Sequence, residues 1–161
     1  MSKYYIAYGS NMNLRKMAMR CPTAEKVGVG KLKNYELQFK GSAYNAFATI
    51  SQHHGKDVEI LLWKIEESDE KSLDRYEGYP NFYEKETVEV ELENGDVVEG
   101  MVYVMEQSQK FGHPSYYYLQ TIAEGYVKNG IDVSSLEMAL EQNQEYVLQQ
   151  EQEQHIDQQG L

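Results

Sequence analysis

The sequence predicts an α+β protein on three observations. Strand-like segments dominate residues 4 to 104, the stretches with helical spacing do not alternate regularly with them, and most neighbouring strands are close enough to pair antiparallel.

Tyr4-Tyr5-Ile6-Ala7-Tyr8 is short, aromatic and β-prone, so it reads as the first strand. Leu14, Met17, Ala18 and Cys21 recur at i, i+3, i+4 and i+7, marking one face of a short helix that Pro22 ends. Further strands are predicted over Val27–Leu32, over the alternating Tyr35, Leu37 and Phe39, over Phe47–Ile50 and over Val58–Ile65. Gly28 and Gly30 point to bends or a close backbone approach. Ser68 is a candidate cap for a second helix with Leu73 and Tyr76 facing inward, closed by Gly78 and Pro80. Val88, Val90 and Leu92 alternate up to Asn94-Gly95, a strong hairpin turn, and Val98, Val102 and Val104 alternate away from it. A third helix starts near Ser115, with Tyr118, Leu119, Ile122 and Tyr126 on one stripe. A fourth runs from Ser134 through Leu136, Leu140 and Val147.

At 161 residues the chain is expected to form one domain, over residues 1–148. Residues 149–161, "QQEQEQHIDQQGL", hold few apolar side chains and predict a frayed helix end or disorder. The formal net charge is -11. Residues 141–161 carry five acids and no Lys or Arg, which leaves 21 acids against 15 bases in the first 140 residues. That balance argues against a nucleic-acid partner, whose phosphates require clustered Lys and Arg. No apolar run has the length of a membrane span, and the N-terminus lacks the apolar core of a signal peptide, so no membrane association and a cytoplasmic location are expected. Cys21 is the sole cysteine, which excludes an intrachain disulfide and a Cys-rich metal site. His53, His54, His113 and His155 lack metal-ligand spacing, so no metal is expected. The oligomeric state is left open.

Two places carry candidate chemistry. Gly9-Ser10-Asn11 follows the first strand and precedes the first helix. In one reading Gly relieves a tight turn and Ser or Asn caps the helix. In the other, free N–H groups at the turn receive a small anion such as a carboxylate. Glu77, in "SLDRYEGYP", falls at the C-terminal edge of the second helix between Tyr76 and Tyr79. The negative end of the helix dipole and desolvation by those tyrosines would both raise its pKa into the range of a general base, whereas a solvated surface Glu would keep an ordinary one. Fourteen tyrosines are many for this length, and one or two phenols are candidates for a polar pocket.

"YIAYGSNMN" at residues 5–13, "NAFATI" at 45–50, "LLWKI" leading to "SLDRYEGYP", a Tyr six residues after Glu77, and "HPSYYYLQTIAEGYVKNG" at 113–130 together resemble the γ-glutamylcyclotransferase family, also called AIG2-like. The resemblance covers roughly residues 4–131 and implies a small mixed β-barrel flanked by helices, with one cavity and no cofactor. It further implies conversion of a small-molecule γ-glutamyl amide, either a γ-glutamyl amino acid or a γ-glutamylamine, into 5-oxoproline and a free amine. On that resemblance Tyr8, Gly9, Ser10 and Asn11 match the substrate loop and Glu77 the acid/base. Tyr83 and Tyr118 match pocket tyrosines, the latter within the run Tyr116-Tyr117-Tyr118, and N–H groups or a phenol near Tyr83 would steady the oxyanion. Glutathione-specific relatives carry Leu where this chain has Asn11, which points away from glutathione. Two alternatives remain within the resemblance: removal of a γ-glutamyl protecting group from a biosynthetic intermediate, and a pocket kept for binding without turnover.

Overall fold

The computed structural model describes residues 2–158. Five strands, β1 (Lys3–Ala7), β2 (Glu25–Lys40), β3 (Phe47–Ile65), β4 (Tyr83–Leu92) and β5 (Val97–Met105), close into a barrel in the order β1-β3-β2-β4-β5. Neighbours pair antiparallel except at the seam, where β1 and β5 run parallel with Tyr5 opposite Met101. Around this mixed barrel pack α1 (Leu14–Arg20), α2 (Glu67–Glu77), α3 (Tyr116–Lys128) and α4 (Ser134–Gln158). No helix among the described residues is long and apolar enough to cross a membrane.

The four segments expected between residues 27 and 65 are two long, bent strands. Within β2, register shifts between Lys26 and Gly28 and between Lys33 and Tyr35 bend the strand without ending it, with Asn34 at φ 64°. A bulge changes direction while pairing continues, so the polar interruption at residues 33–34 is a bend. Gly30 answers the close-approach expectation: a Cβ there would meet the Glu91 carbonyl oxygen at 2.5 Å, where β2 reaches across to β4. In β3, consecutive Ile60, Leu61, Leu62 and Trp63 are all buried. Side chains alternate between faces along a strand, so both faces here are covered.

The turn at Asn94-Gly95 joins β4 to β5 as expected, with Gly95 at φ 92° and the Leu92 N–H donating to the Asp96 carbonyl. Helix α2 is capped by Glu66, which forms a capping box with Asp69; Ser68 lies inside the first turn. The expected inward stripe of α2 holds at Leu73, which is fully buried, and fails at Tyr76, which is 44% exposed. Helix α3 starts where expected, the Ser115 hydroxyl accepting from the Tyr118 N–H at 3.2 Å. The side chain of Asn143 in α4 accepts from the Phe39 N–H at 2.9 Å and donates to the Gly112 carbonyl at 3.0 Å. Gln150 brackets the Phe111 backbone in the same way. Gln and Glu are good helix formers, and anchored by these contacts α4 continues through residues 149–158. Residues 159–161 lie outside the described residues.

Candidate active site

The chain leaves β1 at Ala7 and turns beneath α3. Tyr8 is buried and its hydroxyl donates to the Tyr103 carbonyl at 2.6 Å. Ser10–Met12 form a single 3-10 turn. The cap of α1 is Asn13, whose side chain accepts from the Lys16 N–H at 3.0 Å, so neither Ser10 nor Asn11 plays the capping role. Asn13 also donates to the Thr121 carbonyl, and Asn129 to the Met12 carbonyl at 2.8 Å, which ties the turn to α3. Among the described residues, neither Ser10 nor Asn11 donates its backbone N–H to a turn or loop carbonyl.

The Asn11 side chain is committed to the scaffold. Its oxygen accepts from Arg20 Nη1 at 2.5 Å, its nitrogen donates to the Tyr5 hydroxyl at 2.9 Å, and its backbone carbonyl accepts from Trp63 Nε1 at 3.0 Å. Gly9 sits where a Cβ would meet the Ala48 Cβ at 3.2 Å and the Tyr118 hydroxyl at 3.4 Å. Gly9→Ala should therefore cost about 1–3 kcal/mol by overpacking, read by denaturant unfolding.

Helix α2 brings Glu77 to the same place. Lys85 of β4 pairs with Glu70 at 2.6 Å and Asp74 at 2.9 Å, and the Tyr103 hydroxyl donates to Asp74 at 2.6 Å, locking the helix to the β4–β5 hairpin. Glu77 is the last helical residue, before the left-handed Gly78. Although the residue keeps partial exposure, its carboxyl is largely withdrawn from water, and burial pushes its pKa up to about 7 against the opposing pull of the Arg20 guanidinium. The helix C-terminus acts in the same direction as burial. Glu77 makes no hydrogen bond or ion pair among the described residues. Of the two tyrosines expected to desolvate it, Tyr76 lines the cavity, whereas Tyr79 packs on Lys85 and Tyr103 outside the lining.

One cavity of about 190 Å³ brings together Tyr8, Gly9, Ser10, Asn11, Glu77, Tyr83 and Tyr118. Of the three consecutive tyrosines, Tyr118 enters it, while Tyr116 and Tyr117 are 77% and 67% exposed. Tyr5, Phe47, Tyr76, Phe82 and Tyr103 complete much of the wall. Tyr5 and Phe47 stand out only once the barrel is closed, because no local pattern marks them.

The phenols differ in what their protons do. Tyr83 donates to the Ala48 carbonyl at 2.6 Å. Tyr118 instead accepts from the Ala48 N–H at 3.0 Å, and its own proton has no acceptor among the described residues. Burial raises the pKa of Tyr5, Tyr8, Tyr83 and Tyr118, so all remain protonated donors. Glu77 is therefore the one ionisable carboxyl in a wall of neutral hydroxyls and aromatic rings. A larger groove of about 470 Å³ beside α4 is lined by several carboxylates, of which Glu36 pairs with Lys56 at 2.6 Å and Glu59 with Lys31 at 3.9 Å. Among the described residues no group of three or more His, Cys, Asp or Glu side chains is arranged to hold a metal ion.

The family described as gamma-glutamyl cyclotransferase, AIG2-like matches residues 5–128. The human gamma-glutamylcyclotransferase is 30% identical over 135 residues, covering 79% of this chain and 71% of that protein. A solved structure of a gamma-glutamyl cyclotransferase superposes with a TM-score of 0.79 at 28% identity over 86% of each chain. A yeast gamma-glutamyl cyclotransferase specific to glutathione shares the fold, with a TM-score of 0.64 at 12% identity over 90% of this chain and 96% of that one. The barrel, its order of sequence blocks and these matches lead to one assignment: the chain belongs to the γ-glutamyl cyclotransferase, AIG2-like family.

Proposed function

We propose that this protein cyclises a γ-glutamyl amide to 5-oxoproline with release of a free amine, Glu77 serving as general base and then general acid. The observation that carries the reading is the unpaired Glu77 carboxyl, poised near 7 in a small cavity whose other polar groups are neutral. A base with a pKa near the working pH combines a useful deprotonated fraction with the ability to return the proton.

A γ-glutamyl group carries its own nucleophile. Its α-amino nitrogen closes a five-membered ring on the γ-carbonyl, so the protein's main task is to hold the folded conformer. The α-ammonium starts with three protons and the lactam nitrogen keeps one. Two protons therefore pass to the departing nitrogen, which leaves as an ammonium, and the sequence is redox-neutral. Glu77 takes the first proton from the ammonium, the amine attacks, the carboxylic acid protonates the leaving nitrogen as the C–N bond breaks, and the regenerated carboxylate then passes the second proton from the ring nitrogen to the departing amine. The backbone N–H groups of Ser10 and Asn11 are free of loop carbonyls and suit the α-carboxylate of the substrate.

The oxyanion role belongs to Tyr118 in this reading, in place of a phenol near Tyr83, because the Tyr83 proton is engaged by Ala48 and the Tyr118 proton is not. A cavity of about 190 Å³ suits the compact γ-glutamyl unit, since sites for larger ligands run to roughly 300–1,000 Å³. The leaving amine then extends past Phe47, Tyr76 and Phe82, which line the cavity and are themselves partly exposed.

Incubation with a panel of γ-glutamyl amino acids and γ-glutamylamines, followed by mass spectrometry, tests the proposal. Equimolar 5-oxoproline and amine are expected. Calorimetric binding without turnover after long incubation would instead establish a binding module.

A further inference from the structure

Arg20 is the charged residue nearest to the chemistry that no sequence motif marked. It closes α1, and its guanidinium donates to the Ser10 hydroxyl at 3.1 Å and to the Asn11 side-chain oxygen at 2.5 Å. It also lies over the Tyr76 ring at 3.6 Å, while the Tyr76 and Ser10 hydroxyls are 3.1 Å apart. Three segments, the 9–11 turn, the end of α1 and the end of α2, meet at this one side chain. All of these partners are neutral, and Arg20 makes no ion pair among the described residues. Its positive charge is therefore not cancelled locally and acts on the carboxyl next to Tyr76 in the chain.

We propose that Arg20 is the positioning residue of the cavity: its guanidinium, stacked on Tyr76 and donating from Nη1 to Ser10 and Asn11, fastens the Ser10-Asn11 turn to the last turn of α2 and sets a positive charge beside Glu77. Stacking and charge are separable, because Lys keeps the charge but cannot reproduce the planar group stacked on Tyr76. The titratable groups that share the cavity with Glu77 are Tyr5 on β1, Tyr8 after it, Tyr83 on β4, Tyr103 on β5 and Tyr118 on α3, with Tyr76 beside it on α2. Burial keeps Tyr5, Tyr8, Tyr83, Tyr103 and Tyr118 protonated, and among the described residues Arg20 is the cation that acts on the carboxyl. Its attraction opposes burial, and without it Glu77 would ionise at higher pH.

The catalytic consequence rests on the proposed cyclisation, but Glu77 can be titrated without turnover. The test is the carboxyl 13C resonance of Glu77 followed against pH in the ligand-free full chain, for wild type, Arg20→Gln, Arg20→Met and Arg20→Lys. The two neutral variants should move the midpoint upward by about one pH unit, whereas Lys leaves it near the wild-type value. The acid limb of kcat/KM for 5-oxoproline release should move by the same interval in the neutral variants. Arg20→Lys should keep the wild-type pH profile but lower kcat/KM, because the turn is no longer fastened. An unchanged midpoint in a folded neutral variant overturns the proposal. Collapse of both neutral variants with Arg20→Lys intact makes Arg20 a structural residue and overturns it equally. A midpoint that moves as stated in a protein that releases no 5-oxoproline would support the Arg20 assignment and remove the proposed reaction.

Discussion

Glu77→Gln should abolish 5-oxoproline release and make the protein more stable at pH 8. The two effects have one cause. Glutamine fills the same space but neither takes nor returns a proton, and loss of such a group typically costs about 10²–10⁴-fold in rate. In the folded protein the carboxyl is withdrawn from water and carries no ion pair, which raises its pKa from an ordinary 4.5 to about 7. The unfolded chain ionises the group at lower pH than the folded one, so stability falls as pH rises from about 4.5 to 7 and the full penalty applies above that. Allowing for the partial exposure of the residue, the penalty is about 2 kcal/mol. Glutamine removes it, and for a chain of this size Tm should rise by roughly 4–8 °C at pH 8 and by little at pH 5. Calorimetric melting at both values, alongside the rate, checks the pair of effects. A stabilised variant with substantial turnover would place the base elsewhere.

If Tyr118 is the oxyanion donor of the proposed cyclisation, Tyr118→Phe should lower kcat by about 10²–10³-fold with a small change in KM, the size of effect seen when one such donor is removed. Tyr83→Phe is the matched control. Both hydroxyls bond the backbone of Ala48, one to its N–H and the other to its carbonyl, so each deletion strands a buried polar group at a cost of about 1–3 kcal/mol. Their effects on Tm should be similar, and their effects on kcat should not. Of the two, Tyr118 alone has a proton without an acceptor among the described residues. Steady-state kinetics on the two variants checks this, and the reverse ranking would transfer the oxyanion role to Tyr83.

The elements legible in the sequence are those whose signals are local. Asn94-Gly95 demands a tight turn by its own conformational preferences, and Ser115 caps α3 with its own hydroxyl. Glu77 was readable as the end of α2 because Gly78 follows it. What stayed hidden depends on partners distant in sequence. The bends of β2 arise from pairing with β3, so Val27–Leu32 and Tyr35–Phe39 read as two strands. Glu66 displaced Ser68 as the cap because Asp69 completes a box with it, a reciprocal bond that the stronger intrinsic preference of Ser obscures. Of the two readings of Ser10 and Asn11, the capping one fails for a related reason: Asn13, closer to the helix, takes the cap. Tyr5 and Phe47 reach the cavity only through barrel closure, and Arg20 comes onto Tyr76 in its wall only where α1 meets α2. The resemblance located Tyr8, Glu77, Tyr83 and Tyr118, but which phenol keeps a free proton is a property of the hydrogen bonds to Ala48.

In the proposed reaction the α-amine of the substrate, and not water, attacks the γ-carbonyl inside the Glu77 cavity. Turnover of a γ-glutamyl amide in water enriched with 18O separates the two directly. Cyclisation predicts 5-oxoproline at its natural mass, with the original carbonyl oxygen retained. Glutamate carrying 18O in its γ-carboxyl would show hydrolysis and contradict the account.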